Sequence, residues 1–199
     1  MKVFSRRVAL LGLCVAGLAA CSAEKVAFKG IDITGAEYAR QLSLSDTSGK
    51  PRVLNEFKGK VVVVFFGYTQ CPDVCPITLA EIAEVRSKLG ADGDKVQPIL
   101  VTVDPERDTP EILSAYAASF GRDVVALRGT LEQTRAAAKE FKVFFAKNEG
   151  KTATSYTVDH TAGSYVFDSK GKVRLFTRYG TGAQALADDL KLLLKEAKR

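Results

Sequence analysis

The run Val61-Val62-Val63-Val64-Phe65-Phe66 constrains this chain most. Four β-branched residues followed by two aromatics suit an extended strand and fit poorly in a helix. No polar residue alternates with them, so both faces of that strand must be covered. A strand covered on both faces needs a layer on each side. The expected class is therefore α/β, a central sheet flanked by helices. At 199 residues the chain is long enough for one such domain with a leader. Hydrophobic residues make up 46% and charged residues 26%, which excludes disordered, collagen-like and multi-span membrane chains.

The remaining pattern agrees with this class. Residues 42–53 suggest two short strands around a Ser-Gly turn, and 96–103 a second buried strand. Thr78 to Leu89 has apolar residues at helical spacing. Thr109-Pro110-Glu111 starts another helix, with Ile112, Leu113, Tyr116 and Phe120 expected on one face. Residues 124–127 form a short strand, and Thr130 to Gln133 is a capping box opening a helix that runs to about Phe141. Residues 147–159 are polar and loop-like. Strands at 164–167 and 173–179 flank the turn Asp168-Ser169-Lys170-Gly171. Thr181 to Gln184 repeats the capping-box spacing, and Leu186, Leu190, Leu193, Leu194 and Ala197 form the stripe of a last helix.

Residues 1–20 have the form of a signal peptide, with a basic start and 13 uncharged apolar or small residues at 8–20. That stretch is too short to span a bilayer, which takes about 20 residues. Leu18-Ala19-Ala20-Cys21 resembles a bacterial lipobox, so Cys21 is the expected lipidated first residue of the mature chain. Residues 21–40 then form a tether and 41–199 the domain. The expected location is a membrane-anchored lipoprotein facing the periplasm. Ser5-Arg6-Arg7 hints at twin-arginine export, although Ala9 departs from that pattern. Three of the 29 basic residues, Lys2, Arg6 and Arg7, lie in the leader, leaving 26 against 23 acids. That excess is too weak for nucleic-acid binding, and no basic stripe accompanies it.

With Cys14 in the leader and Cys21 lipidated, the domain retains Cys71 and Cys75 as free thiols, in a compartment that permits disulfides. They lie in GYTQCPDVCP, residues 67–76, between the buried strand and a helix. Cys75 at or before that helix N-terminus is expected to favour the thiolate. A disulfide between the two would close a short loop and stabilise little, so redox exchange or metal chelation is the better use. His160 is the only imidazole, and no Met follows position 1. Soft-metal binding would therefore use two thiolates and one imidazole, a set that suits Cu(I) or Cu(II). Zinc would want a fourth ligand, for which Asp73, Asp104 or Asp159 could serve. Asp104 ends the second buried strand, on the sheet edge where α/β sites form. There it could act as a weak ligand, an acceptor behind the ligands or a docking charge, or it could only shape the turn.

At these residues the chain resembles the Sco/SenC family. The resemblance rests on GYTQCPDVCP, on TVDPERDTP at 102–110, on KVFFAKN at 142–148 and on VDHTAGSYVFD at 158–168, within 42–195. It implies a thioredoxin-like fold with an N-terminal strand and hairpin extension. It also implies copper held by Cys71, Cys75 and His160, with the two cysteines as a disulfide-forming redox pair, and places the family's aspartate on Asp104. Gln70 departs from the family, where many relatives have His before the first cysteine. The implied function is a metallochaperone that delivers copper to the CuA site of cytochrome c oxidase subunit II, or prepares its thiols. Another copper chaperone or a thioredoxin-like reductant is an expected further partner. The alternative is an extracytoplasmic thiol–disulfide reductase, with Cys71 attacking and Cys75 resolving.

Overall fold

A computed structural model describes residues 27–152 and 155–198. The leader, Cys21 and the start of the tether lie outside the described residues. In chain order the strands are β1 (Ile31–Asp32), β2 (Ser43–Asp46), β3 (Pro51–Val53), β4 (Val61–Gly67), β5 (Val96–Thr102), β6 (Val125–Arg128), β7 (Phe145–Asn148), β8 (Thr157–His160), β9 (Gly163–Phe167) and β10 (Val173–Arg178). The helices are α1 (Val74–Lys88), α2 (Pro110–Ala118), α3 (Leu131–Glu140) and α4 (Ala183–Glu196).

Eight strands form one sheet in the order β1-β10-β9-β4-β5-β6-β2-β3. The centre, β4-β5-β6, is parallel, while β9 and β10 continue antiparallel on one side and β2 and β3 on the other. This is a thioredoxin-like mixed sheet with an N-terminal strand and hairpin added at its two edges. The run at 61–66 behaves as its composition requires. Val61 and Val63 pack with Ile82 and Val85 of α1 and with Leu186, Leu190 and Leu193 of α4. Val62, Val64 and Phe66 face the opposite layer, with Leu113 of α2, Ala138 of α3 and Phe141. Each such side chain, fully buried, contributes about 1.5–3 kcal/mol.

Several expectations change in detail. Helix α1 begins at Val74, one turn earlier than expected, because Pro76 falls in the first turn, where its missing N–H costs no intrahelical bond. The spacing at Thr181 does not make a capping box. Gly182, at φ +86°, occupies the cap, and the Thr181 hydroxyl donates to the Arg178 carbonyl instead. Ala197 lies just beyond α4 as its C-cap, and Ile112 of α2 is exposed. The polar stretch 147–159 is bounded by strands, since β7 and β8 pair as a separate two-stranded sheet with Phe145 opposite His160. Part of the stretch assigned to the tether is docked on the domain. Residues 31–32 pair with β10, and the Lys29 and Gly30 amides donate to buried Asp189 of α4 at 2.7 and 2.8 Å.

Candidate metal centre

The carboxyl end of β4 leads into the loop Tyr68–Asp73 and then α1, which places Cys71 in the loop and Cys75 in the first turn of the helix. Gly67 allows the close approach. A Cβ there would lie 2.6 Å from the Phe65 ring and 2.8 Å from Cys75 Sγ. Cys75 is fully buried and Cys71 partly so; neither is in a disulfide. His160 arrives from β8, with its ring edge-on to Phe65 and Tyr68 at centroid distances of 5.9 and 6.0 Å. Its Nε2 is 3.3 Å from Cys75 Sγ.

The ligand atoms of Cys71, Cys75 and His160 all lie within 4.8 Å of one another. Among the described residues no carboxylate joins this group. Asp73 and Asp159 line the adjoining shallow cleft of about 320 Å³, and Asp104 lies elsewhere. The donor set is thus two sulfurs and one nitrogen, which fits copper better than a four-ligand structural zinc site.

The tautomer of His160 follows from its neighbours. Nδ1 faces the Thr161 carbonyl at 3.2 Å. That oxygen can only accept, so Nδ1 carries the proton and Nε2 presents its lone pair to the thiols. Burial pushes the imidazole below its ordinary value of 6.5, outweighing the Thr161 carbonyl and Asp159. The neutral ligand form therefore prevails at neutral pH.

Cys75 overturns one expectation. Burial pushes its thiol far up, and the hydrogen bond with Cys71 adds to the effect, while the Tyr68 backbone bond opposes it only in part. The helix N-terminus does not make Cys75 a thiolate in the metal-free protein.

The loop between β5 and α2 braces the site. Asp108 is fully buried and accepts from the Thr69 amide at 3.2 Å, the Thr69 hydroxyl at 2.6 Å and the Thr102 hydroxyl. Thr109 caps α2 as expected, accepting from the Ile112 amide. Asp104, 3% exposed, pairs with Arg107 and accepts from the Tyr156 hydroxyl at 2.7 Å. Its bonds run to Arg107 and Tyr156 rather than to Cys71, Cys75 or His160. Tyr68 accepts at its hydroxyl from the Val158 amide at 3.2 Å. Sequence reasoning missed Tyr68, Thr69, Asp108, Arg107 and Tyr156 as site residues. The first four lie in the two motifs already singled out, but no spacing rule connects Tyr156 to either.

A model of the SCO1/SenC family matches residues 32–195. The structure of Bradyrhizobium japonicum ScoI with copper bound is 38% identical, covers 77% of this chain and 97% of that one, and superposes with a TM-score of 0.70. The apo Sco1 protein of Thermus thermophilus is 36% identical over 84% of this chain and 97% of its own, with a TM-score of 0.75. The mitochondrial SCO2 homolog of Mus musculus is 37% identical over 139 residues, 69% of this chain and 53% of the mouse protein. The chain spans about half the length of the first curated relatives it matches. With the family pattern running almost from β1 to the end of α4, the chain belongs to the SCO1/SenC family.

Proposed function

We propose that this protein binds one copper ion through Cys71 Sγ, Cys75 Sγ and His160 Nε2. The observation that carries the reading is the convergence of those three atoms within 4.8 Å, with the Nδ1 proton of His160 turned away onto Thr161. Copper bound in the Bradyrhizobium relative supports it. Copper is cargo in this reading. The protein delivers it to, or prepares the thiols of, the CuA site of cytochrome c oxidase subunit II. It receives copper or electrons from another chaperone or a thioredoxin-like reductant. Sulfur and nitrogen ligands on one edge of an open cleft can be exchanged singly with a recipient's ligands, which suits transfer. The lipid on Cys21 and the periplasmic location belong to the same proposal. Among the described residues no helix is long and apolar enough to cross a membrane.

Binding is coupled to the redox state of the cysteines, because a Cys71–Cys75 disulfide leaves no pair of thiolates to offer. The unequal exposure of the two thiols favours a second reading, a thiol–disulfide reductase in which accessible Cys71 attacks and buried Cys75 resolves. The test is copper stoichiometry of the reduced protein without oxygen, beside Cys71→Ser, Cys75→Ser and His160→Ala. One copper per chain, lost in both cysteine variants and bound more weakly in His160→Ala, supports delivery. No tight copper in the parent, with a readily exchanged disulfide, supports the reductase. Tight copper in the disulfide form would overturn the coupling.

A further inference from the structure

His160 stands on a strand that lies outside the main sheet. β8 pairs with β7, and neither strand joins the eight-stranded ladder. The hairpin is held by the packing of Tyr156 and Val158 in the core and by polar contacts to Tyr68, Asp104, Glu106 and Arg107. From Nη1 this side chain donates to the Tyr156 carbonyl at 2.8 Å and to Gln70 Oε1 at 3.0 Å. Through Nε it holds Asp104, whose other oxygen accepts from the Tyr156 hydroxyl. Its guanidinium lies 3.5 Å from the centroid of the Tyr156 ring. Arg107 thus ties three segments together: its own loop, the residue before Cys71, and the strand entry four residues before His160.

We propose that Arg107 is a positioning residue that locks the His160 hairpin against the cysteine loop, and so gives the site its capacity for Cu(II) as well as Cu(I). The inference rests on the copper reading. Two thiolates are soft donors and satisfy Cu(I), whereas Cu(II) prefers nitrogen and oxygen donors in its coordination sphere. Holding His160 in place therefore matters most for the oxidised ion. Arginine suits the task because a planar, permanently charged fork can stack on an aromatic ring and donate to several acceptors at once; lysine offers only a point charge. Gln70 takes part as the acceptor that links Arg107 to the residue before Cys71.

The test compares Arg107→Ala, Arg107→Lys, Gln70→Ala and His160→Ala with the parent, all as full chains, reduced and without oxygen. Cu(II) affinity and thiolate charge-transfer absorption, Cu(I) affinity by competition, and amide exchange across 157–160 in the metal-free protein are measured. Arg107→Ala should lose about tenfold in Cu(II) affinity, the low end of the range for a direct partner of a ligand, because Arg107 reaches the ligands only through Gln70 and Tyr156. Its Cu(II) spectrum should move towards that of His160→Ala, its Cu(I) affinity should hold, and exchange across 157–160 should rise. Arg107→Lys should fail to rescue, and Gln70→Ala should show the same change to a smaller extent.

Parent-like Cu(II) binding in Arg107→Ala, equal loss of both ions, or full rescue by lysine would each overturn the proposal. If Arg107→Ala does not fold, Gln70→Ala decides by the same Cu(II) readout. If the parent binds no copper, the functional reading fails. The exchange rates then judge the clamp separately, and unchanged exchange in a folded Arg107→Ala overturns it.

Discussion

Replacing Asp108 with alanine should loosen the cysteine loop and lower the stability of the domain by about 3 kcal/mol. The carboxylate accepts from one backbone amide and two hydroxyls, all in a buried setting. Bonds to a charged acceptor are worth about 1.5–3 kcal/mol, and a buried donor left unsatisfied costs about 1–3 kcal/mol. The Thr69 and Thr102 hydroxyls can rotate to other partners, but the Thr69 amide is fixed by the loop and bears its full penalty. Removing the carboxylate also relieves a burial cost, since burial is the largest effect on Asp108 and raises its pKa. The net therefore falls below the sum of three lost bonds. For a domain of this size 3 kcal/mol corresponds to a fall in Tm of about 6–12 °C. Urea unfolding of reduced, metal-free protein measures the change directly. Asp108→Asn keeps the shape and one acceptor oxygen and should lose about half as much. A loss under about 0.5 kcal/mol in Asp108→Ala would show that the carboxylate does not hold the loop, and the reasoning would be wrong.

Three further outcomes are expected. Asp189→Ala strands the Lys29 and Gly30 amides and should cost about 2 kcal/mol, with faster amide exchange at 29–32; unchanged exchange would refute the anchoring of this segment. Thr130→Ala removes the cap of α3 and should cost about 1 kcal/mol in urea unfolding, because the Gln133 amide loses its acceptor. Copper affinity should rise with pH up to about tenfold per unit for each thiol proton released, and equilibrium competition from pH 6 to 8 checks this. The sign follows from Cys75, which burial keeps protonated in the metal-free protein and which must lose its proton to bind. His160 adds to the slope only on the acid side of its ordinary value, since burial pushes its pKa down and keeps the ring neutral above that.

The elements built on local patterns were legible in the sequence. The 61–66 run, the capping box at Thr130 and the Asp168–Gly171 turn each encode their geometry in adjacent residues, and each forms as read. The hairpin of β7 and β8 was hidden because its burial barely alternates and it contributes little to the sheet. Its role appears only when Arg107 and Tyr156, 49 residues apart in sequence, come together. Strand order is likewise absent from local pattern. The antiparallel placement of β9 beside β4 brings His160, three residues before β9, to the cysteine end of the sheet.

The misjudged acidity of Cys75 is a question of magnitude. A helix N-terminus stabilises a nearby negative charge by about 0.3–1 kcal/mol, which is less than one pKa unit. Full burial can shift a titratable group by about 3–5 units towards its neutral form. The sequence places Cys75 at the helix start, but only the fold shows that Gly67, Phe65 and the His160 ring enclose it. Burial therefore wins, and the metal-free site holds Cys75 as a neutral thiol beside a neutral imidazole. In the proposed copper reading the charge of the ion offsets that burial, so binding and loss of the Cys75 proton are coupled. The same enclosure shields Cys75 while Cys71 stays partly exposed, and both the proposed copper binding and the alternative thiol–disulfide exchange start from that asymmetry.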